Sequence, residues 1–153
     1  MTKINNMELP TEKVKASRKS PKNMIIYGAP KIGKTTVLSQ LDNCLIIDLE
    51  DGSDMLDALK VKAHSLKDLQ AIGVAIMKEG RPYKYIAIDT ISKLEEWCEA
   101  YAKQIYMKTP MGKNFDQKNP GASVLSLPNG AGYLYLRMAY KEWIDKLNKL
   151  ADH

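Results

Sequence analysis

The sequence predicts an α/β fold in which helices flank a mainly parallel sheet. Apolar runs of strand length alternate along the chain with segments whose apolar residues recur at helical spacing. The apolar runs lack period-two alternation, as expected when helices cover both faces of a sheet. The chain has 153 residues, of which 44% are hydrophobic and 27% charged. That length and composition suit one globular domain with a single core, and they exclude a fibrous or fully disordered protein.

Three apolar runs are predicted to be buried strands. They cover residues 24–27, 44–49 and 85–89. The first run leads into a glycine-bearing turn, and the second leads into an acidic turn at residues 50–53. In open α/β sheets ligands bind at the carboxyl ends of the strands, so we expect these turns to face one site.

Four helices are predicted after these strands. The first covers residues 35–41, and the second starts at the capping pair Ser65 and Asp68 and ends at Gly80. The third has its apolar face at Leu94, Trp97, Cys98, Tyr101 and Ile105, and the last at Tyr133, Leu136, Tyr140, Trp143, Ile144, Leu147 and Leu150. Residues 109–132 have no periodicity and are predicted to be a long loop.

Most of the net charge of +5 lies at the N-terminus. Residues 1–22 contain six Lys or Arg and two Glu, so this arm carries +4 and the body, residues 23–153, is nearly neutral. A basic arm suits a polyanion such as nucleic acid. The alternative is a solvated leader that keeps the protein soluble.

Membrane and secreted classes are disfavoured by the sequence. No apolar run approaches the roughly 18 residues of a membrane span, and no apolar stretch follows the N-terminus as in a secretory signal. Cys44 and Cys98 are the only cysteines, which is too few for a disulfide framework or a zinc site. We therefore expect a cytoplasmic protein.

Residues 28–35 carry the strongest chemical signal in the chain. Their sequence, Gly-Ala-Pro-Lys-Ile-Gly-Lys-Thr, fits the phosphate-binding pattern of glycine, four residues and then Gly-Lys-Thr. The motif follows a predicted strand and opens a predicted helix, where main-chain amides and the helix dipole can gather phosphate oxygens. The predicted nucleotide-binding residues are Gly28, Ala29, Pro30, Lys31, Ile32, Gly33, Lys34, Thr35 and Thr36.

Magnesium and hydrolysis require further groups. Lys34 is expected to reach the β- and γ-phosphates, and the Thr35 hydroxyl is expected to bind Mg²⁺ together with Asp89 at the end of the third strand. A base must orient the attacking water, and Glu50 and Asp51 are the candidates. Asp48 lies inside its strand and is expected to satisfy local hydrogen bonds instead.

Taken together, residues 26–36, 44–52 and 85–90 resemble the RecA-like P-loop ATPases. They are most similar to single-domain nucleotide-binding proteins of bacteriophages, some of which act in DNA recombination and single-strand annealing. The resemblance implies a RecA-like nucleotide-binding domain over residues 23–153, with ATP and Mg²⁺ as its ligands. It favours Glu50 as the catalytic glutamate, because residues 47–50 match the family's Ile-Asp-x-Glu context. It also implies that Thr90 either senses the γ-phosphate or caps the next helix.

The chain departs from the RecA-like pattern in two ways. In that family a further strand follows the last helix and lies between the phosphate-loop strand and the acidic strand. We therefore expect a sheet that is incomplete at its C-terminal part, so that either the chain is a piece of a longer protein or another segment fills the gap. Lys31 adds a cation to the loop; it contacts the γ-phosphate, contacts the nucleotide of a neighbouring subunit in a homo-oligomer, or points into solvent. The arginines of this chain are Arg18, Arg81 and Arg137, so a finger from this chain would be one of them or a lysine.

The function predicted from these features is Mg²⁺-dependent ATP hydrolysis in phage DNA recombination or single-strand handling. Single-stranded DNA would contact the arm, or the 109–132 loop through Lys113, Phe115 and Lys118. The alternatives are a small-molecule kinase, which usually needs an arginine-bearing lid, and a nucleotide-binding assembly protein with little turnover. A GTPase lacks support because the chain has no Asn-Lys-x-Asp stretch, and a dinucleotide oxidoreductase lacks the Gly-x-Gly-x-x-Gly turn.

Overall fold

A three-stranded parallel sheet forms the centre of the structure. The computed structural model describes residues 23–52 and 57–150, so the basic arm lies outside the described residues. The strands are β1 (Cys44–Asp48), β2 (Leu59–Lys62) and β3 (Tyr85–Asp89), and their order in the sheet is β2-β1-β3. The central strand β1 is buried along its whole length. The predicted α/β class with a parallel sheet is confirmed.

The register of the sheet aligns the acidic ends of two strands. Cys44 pairs with Tyr85 at one end of the β1–β3 ladder, and Asp48 pairs with Asp89 at the other. The Leu49 amide extends the ladder by donating to the Asp89 carbonyl at 2.7 Å. The residues that follow β1 and β3 therefore leave the sheet side by side.

In the part of the chain that the structure describes, five α-helices accompany the sheet. They are α1 (Lys34–Ser39), α2 (Leu66–Lys78), α3 (Ile91–Met107), α4 (Phe115–Lys118) and α5 (Ala131–Asn148). The predicted capping pair of α2 is present, because the Ser65 hydroxyl accepts the Asp68 amide at 3.2 Å. Gly80, with φ 76°, lies just beyond the end of this helix, where a left-handed residue is favoured.

The hydrophobic core joins one face of β1 to helices α2, α3 and α5. Leu45 and Ile47 of the strand and Leu49 just beyond it contribute to the core, and the helices bury or half-bury most of the apolar positions that gave the helical periodicity. The fully buried members include Ile47, Leu69, Leu94, Cys98, Ala102, Val124 and Ala139. The core packs against β1 and β3 and supports the end of the sheet at which Asp48 and Asp89 lie.

The predicted strand at residues 24–27 is wrong. Residues 23–28 have no regular secondary structure, and the side chains of Ile25 and Tyr27 are 81% and 92% exposed. A strand needs a neighbouring ladder for its amides and carbonyls, and no described strand pairs with this segment or with the outer edge of β3. This is the part of the sheet where the sequence predicted a gap.

The predicted loop at residues 109–132 is more ordered than expected. It contains α4 and two 3-10 turns, Val124–Ser126 and Pro128–Gly130. The first turn packs against α3 and α5, and the second packs against α5. Phe115 is buried and meets the Tyr106 ring edge-on, with 5.3 Å between the ring centroids. The prediction that DNA contacts this segment through Phe115 is therefore wrong, because the buried ring is not open for bases to stack on.

Strand β2 was not predicted. Apolar and basic side chains alternate along its four residues, which is the period-two pattern of a strand: Leu59, Lys60, Val61 and Lys62. The segment is too short for periodicity to stand out, and its place in the sheet comes from pairing with the buried β1. The basic side chains suit a strand at the edge of the described sheet, because charge discourages pairing with another chain.

Both cysteines are free and buried, as expected for a chain without a disulfide framework. Burial raises the pKa of the Cys44 thiol, and it raises that of Cys98 to about 11. Both thiols are therefore protonated at neutral pH and act as small apolar groups in the core. Among the described residues, no helix has the length and apolar character needed to span a membrane.

Gly132→Ala tests the packing of α5 against the first 3-10 turn, and Gly73→Ala in α2 is its control. A Cβ on Gly132 would lie 2.1 Å from the Val124 carbonyl oxygen, so Gly132→Ala forces the backbone apart. We expect the free energy of unfolding to fall by about 1–3 kcal/mol or more in a urea titration. In Gly73→Ala the new methyl would meet only Leu150 at 3.6 Å, so this helix-interior variant should gain up to about 1 kcal/mol. Equal stability of the two variants would contradict the packing.

Candidate functional site

The glycine-bearing loop leads into α1 through a left-handed residue. Gly33 has φ 95°, a conformation that strains any residue with a Cβ, and Lys31 has φ 62°. The Gly33 carbonyl accepts the Val37 amide at 3.0 Å, the first hydrogen bond of the helix. None of the six residues of α1 is buried, so the loop and helix lie at the surface.

The Lys34 ammonium lies over the loop that precedes it. Its Nζ donates to the Gly28 and Ala29 carbonyl oxygens, both at 2.9 Å. These two bonds close the loop around the ammonium and hold the charge at its centre. Because carbonyls are neutral acceptors, a phosphate oxygen would be a stronger partner for the same ammonium.

An open cavity of about 220 Å³ lies against the loop. Its lining includes two lysines, two hydroxyl residues and two glycines: Lys31, Gly33, Lys34, Thr35, Thr36 and Gly52. Gly52 comes from the acidic turn after β1, so the cavity joins the loop to the carboxyl end of the sheet. Cations and hydroxyls around a small polar cavity suit an anionic ligand.

Thr35 connects the loop helix to the acidic end of β3. Its Oγ1 donates to Asp89 Oδ2 at 2.6 Å, across 54 residues of sequence. This contact brings together the two side chains that were predicted to bind Mg²⁺. Both offer hard oxygen atoms, the ligand type that Mg²⁺ prefers, and they fit a site completed by nucleotide phosphates. In the described part of the chain no group of three His, Cys, Asp or Glu side chains could hold a metal ion alone.

Asp48 organises the turn that follows β1. It is 2% exposed, and its Oδ1 accepts the amides of Glu50 at 3.0 Å and Gly52 at 3.3 Å. The prediction that Asp48 satisfies local hydrogen bonds is confirmed. The buried carboxylate thereby fixes the backbone from which the Glu50 side chain extends and on which the cavity-lining Gly52 lies.

Glu50 and Asp51 have different partners. The Asp51 carboxylate pairs with the Lys62 ammonium at 3.1 Å and lies 3.9 Å from His64 Nδ1, on the β2 side of the sheet. Glu50 instead lies on the β3 side, where its Oε1 accepts a hydrogen bond from Thr90 Oγ1 at 2.8 Å. Of the two candidate bases, Glu50 is therefore the one next to the Thr35–Asp89 contact.

Thr90 precedes the first residue of α3. Its backbone is extended, with φ −117° and ψ 155°, and its side chain makes no capping hydrogen bond to the helix. The prediction that the Thr90 hydroxyl caps the next helix is therefore wrong.

Lys93 lies one turn later on α3. The pKa of its ammonium is raised by its hydrogen bond to Glu96, then by the charges of Glu96 and Glu50.

The structure gathers most of the predicted residues at one edge of the sheet. The loop residues that line the cavity, the two carbonyls that hold Lys34, and the Thr35–Asp89 pair all meet there. Pro30 and Ile32 do not line the cavity, and the Ile32 side chain is 67% exposed. Sequence reasoning missed Gly52 as a cavity residue, although its position after an acidic strand end was the available signal.

Neither described arginine lines the cavity. Arg81 Nε contacts the Met77 sulfur at 3.2 Å, and Arg137 lines a separate cavity with Glu95 and Tyr140. The third candidate for an arginine finger, Arg18, lies outside the described residues. Within residues 23–52 and 57–150, lysines supply all the side-chain cations around the loop cavity.

Comparison with known proteins identifies the family. The model of the AAA domain matches residues 20–153, which include the loop, the sheet and all five helices. No curated protein and no solved structure matches the chain. The family match and the loop-bearing parallel α/β sheet agree. The chain therefore belongs to the AAA domain family and is a P-loop NTPase module for binding and hydrolysing ATP.

Proposed function

We propose that this chain is a RecA-like, Mg²⁺-dependent ATPase whose site is built from the loop at 28–36, Glu50 and Asp89. The observation that carries the proposal is the 2.6 Å contact between Thr35 and Asp89 beside Glu50. The contact joins the phosphate-loop helix to the Asp89 carboxylate, and the next residue, Thr90, is hydrogen-bonded to Glu50. Mg²⁺, when bound by Thr35, Asp89 and phosphate oxygens, neutralises charge on the triphosphate.

Lys34 binds the phosphates when ATP enters the site. Its ammonium exchanges the Gly28 and Ala29 carbonyls for β- and γ-phosphate oxygens, a change from neutral to charged acceptors. Thr36, on the cavity wall, is placed for the α-phosphate side, and Lys31 adds a second positive charge at the rim. The loop then holds the nucleotide by main-chain and ammonium donors together.

Glu50 has the role of base in hydrolysis. A water oxygen forms a bond to the γ-phosphorus, the bond from that phosphorus to the bridging oxygen breaks, and ADP leaves with the electron pair. Glu50 takes the proton of the water. The choice of Glu50 over Asp51 is supported by its position beside Asp89, whereas Asp51 is occupied by Lys62.

The ATPase proposal is tested by measuring phosphate release from ATP with Mg²⁺ and with Mg²⁺ removed by a chelator. We expect turnover only with the metal, because the triphosphate charge is otherwise uncompensated at the site of attack. Equal turnover with and without Mg²⁺ would contradict the role given to Thr35 and Asp89. Transfer of phosphate to a small metabolite instead of water would select the kinase alternative.

We further propose that the module acts on single-stranded DNA in phage recombination, and that the basic arm is the contact. The arm carries +4, and the exposed Lys113 and Lys118 of the α4 region could add to it. Because Phe115 is buried, the protein would contact the DNA phosphates in that region and not the bases. Contacts of this kind are electrostatic and weaken steeply with salt.

Deletion of residues 1–22 should weaken single-stranded DNA binding and flatten its salt dependence. If all six basic residues of the arm contact phosphates, the negative slope of log affinity against log salt should become shallower by about 4. Fluorescence anisotropy of a labelled oligonucleotide at several salt concentrations measures this slope. The matched control is Lys113→Ala with Lys118→Ala, which tests the α4 region alone. An unchanged slope after deletion would rule out the arm as the DNA contact.

A nucleotide-binding assembly protein with little turnover is the second candidate. It is favoured by the lack of any arginine around the cavity in the described residues, since arginine is a common stabiliser of the transferred phosphate. For that candidate, ATP binds but phosphate release is negligible, and Glu50→Gln leaves that rate unchanged. Stimulation of hydrolysis by single-stranded DNA would exclude it.

A further inference from the structure

A hydrogen bond between Thr90 and Glu50 crosses the carboxyl edge of the sheet. The two residues are 40 positions apart, and the Thr90 Oγ1 to Glu50 Oε1 distance is 2.8 Å. The register explains why they meet, because Asp48 and Asp89 are paired at the ends of their strands, and Glu50 and Thr90 follow them by two residues and one residue. Thr90 is thus fixed by β3 on one side and by the start of α3 on the other.

The Thr90 hydroxyl does not cap the helix that follows it, which is the usual role of a threonine at this position. A threonine before a helix normally accepts an amide from the first turn and stabilises the helix. Here the side chain makes no such bond and donates to Glu50 instead. Lys93 on α3, whose pKa the Glu50 charge helps to raise, is itself hydrogen-bonded to Glu96. The hydroxyl is therefore the group that holds the glutamate.

We propose that Thr90 is the positioning residue for Glu50: its hydroxyl fixes one carboxylate oxygen so that the other faces the attacking water. This inference rests on the proposed role of Glu50 as base. Glu50 is exposed, and an exposed glutamate without an anchor samples several rotamers. Among the described residues, no donor contacts Oε2, so the anchor leaves that oxygen available to accept a proton.

The position of Thr90 also links the base to the phosphate loop. Thr90 directly follows Asp89, and the Asp89 carboxylate accepts the Thr35 hydroxyl. Two consecutive residues at the end of β3 therefore hold the loop helix and the glutamate at a fixed separation. A displacement of about 1 Å in such an arrangement can lower the rate of a reaction about 100-fold.

The test compares Thr90→Val, which keeps the shape but removes the hydroxyl, with Thr90→Ser, which keeps the hydroxyl. We expect Thr90→Val to lower kcat for ATP hydrolysis about 10- to 100-fold with little change in the Kd for Mg-ATP, and Thr90→Ser to restore most of it. In the Glu50→Gln background, Thr90→Val should cause no further loss, because Thr90 acts through Glu50. Thr90→Ala, which also lacks the hydroxyl, should behave as Thr90→Val.

Several outcomes would overturn the role of Thr90. One is a wild-type kcat in Thr90→Val and Thr90→Ala. Another is an equal loss in the serine and valine variants, which would show that the hydroxyl is not the cause. Weaker Mg-ATP binding with kcat intact would instead make Thr90 a contact of the γ-phosphate.

A measurement without turnover separates this inference from the proposed function. Carbon-13 NMR of the Glu50 side-chain carboxyl, in nucleotide-free protein, should give matching shifts for wild type and Thr90→Ser and a different shift for Thr90→Val. An unchanged shift in Thr90→Val would contradict the anchor itself. Wild-type protein that releases no phosphate would contradict the proposed function.

Discussion

Lys34→Ala is expected to abolish Mg-ATP binding or weaken it strongly, and to lower hydrolysis by about 100-fold or more. The ammonium lies at the centre of the loop, 2.9 Å from two of its carbonyl oxygens. Its loss leaves the triphosphate without the nearest cation and leaves both carbonyls without their donor. Nucleotide titration and phosphate release measure the two effects separately.

Lys141→Ala is the matched control for Lys34→Ala. Lys141 forms an exposed ion pair with Asp145 on α5, a type of contact that contributes little to stability. We expect this variant to bind and hydrolyse ATP as the wild type does. Hydrolysis at the wild-type rate in Lys34→Ala would reject the assignment of the loop.

Glu50→Gln is expected to keep Mg-ATP binding and to lower the rate of hydrolysis by about 100- to 10,000-fold, the usual contribution of a positioned base. The amide preserves the size of the side chain and can still accept the Thr90 hydroxyl, but it cannot take a proton from water. Binding is measured by titration with Mg-ATP, and turnover by phosphate release in the same preparation.

Asp51→Asn separates the two neighbouring carboxylates. Asp51 is paired with Lys62 on the opposite side of the turn, so its loss should leave hydrolysis within a few-fold of the wild type. If Asp51→Asn stalls hydrolysis and Glu50→Gln does not, the base is the neighbouring residue and the role given to Thr90 fails with it.

Strands β1 and β3 and helices α1, α2, α3 and α5 were predictable because their signals are local, but the predicted burial holds only for β1. In β3 Tyr85 is exposed and the other residues are half-buried. The apolar runs at 44–49 and 85–89 and the capping pair at Ser65 each depend on a few adjacent residues. The core positions of α3 and α5 followed from helical spacing for the same reason. Tyr133 is an exception, since it shares the predicted apolar face of α5 but is 63% exposed.

The segment at 24–27 shows where local signals are insufficient. Its apolar residues satisfy the pattern of a buried strand, but a strand exists only where another strand completes its ladder. Pairing is a property of the whole sheet, and the described sheet has β3 at one edge and β2 at the other. The same limitation explains why β2, with only four residues, was missed.

The chemistry of the candidate site could be predicted in part. The glycine–lysine–threonine pattern and the acidic strand ends gave the residues that the structure brings together as the cavity and the Thr35–Asp89 pair. The Thr90–Glu50 bond could not be read from sequence, because it depends on the register that places Asp48 beside Asp89. Likewise, the burial of Phe115 depends on its contact with Tyr106 in another element.

The most direct test of the nucleotide site is calorimetric titration of Mg-ATP into the full chain, with Lys34→Ala as the comparison. We expect saturable uptake by the wild type and its loss in the variant, with both proteins folded by circular dichroism. Folded wild-type protein that takes up no Mg-ATP, or a Lys34→Ala variant that binds it equally well, would contradict the assignment of the loop as the nucleotide site.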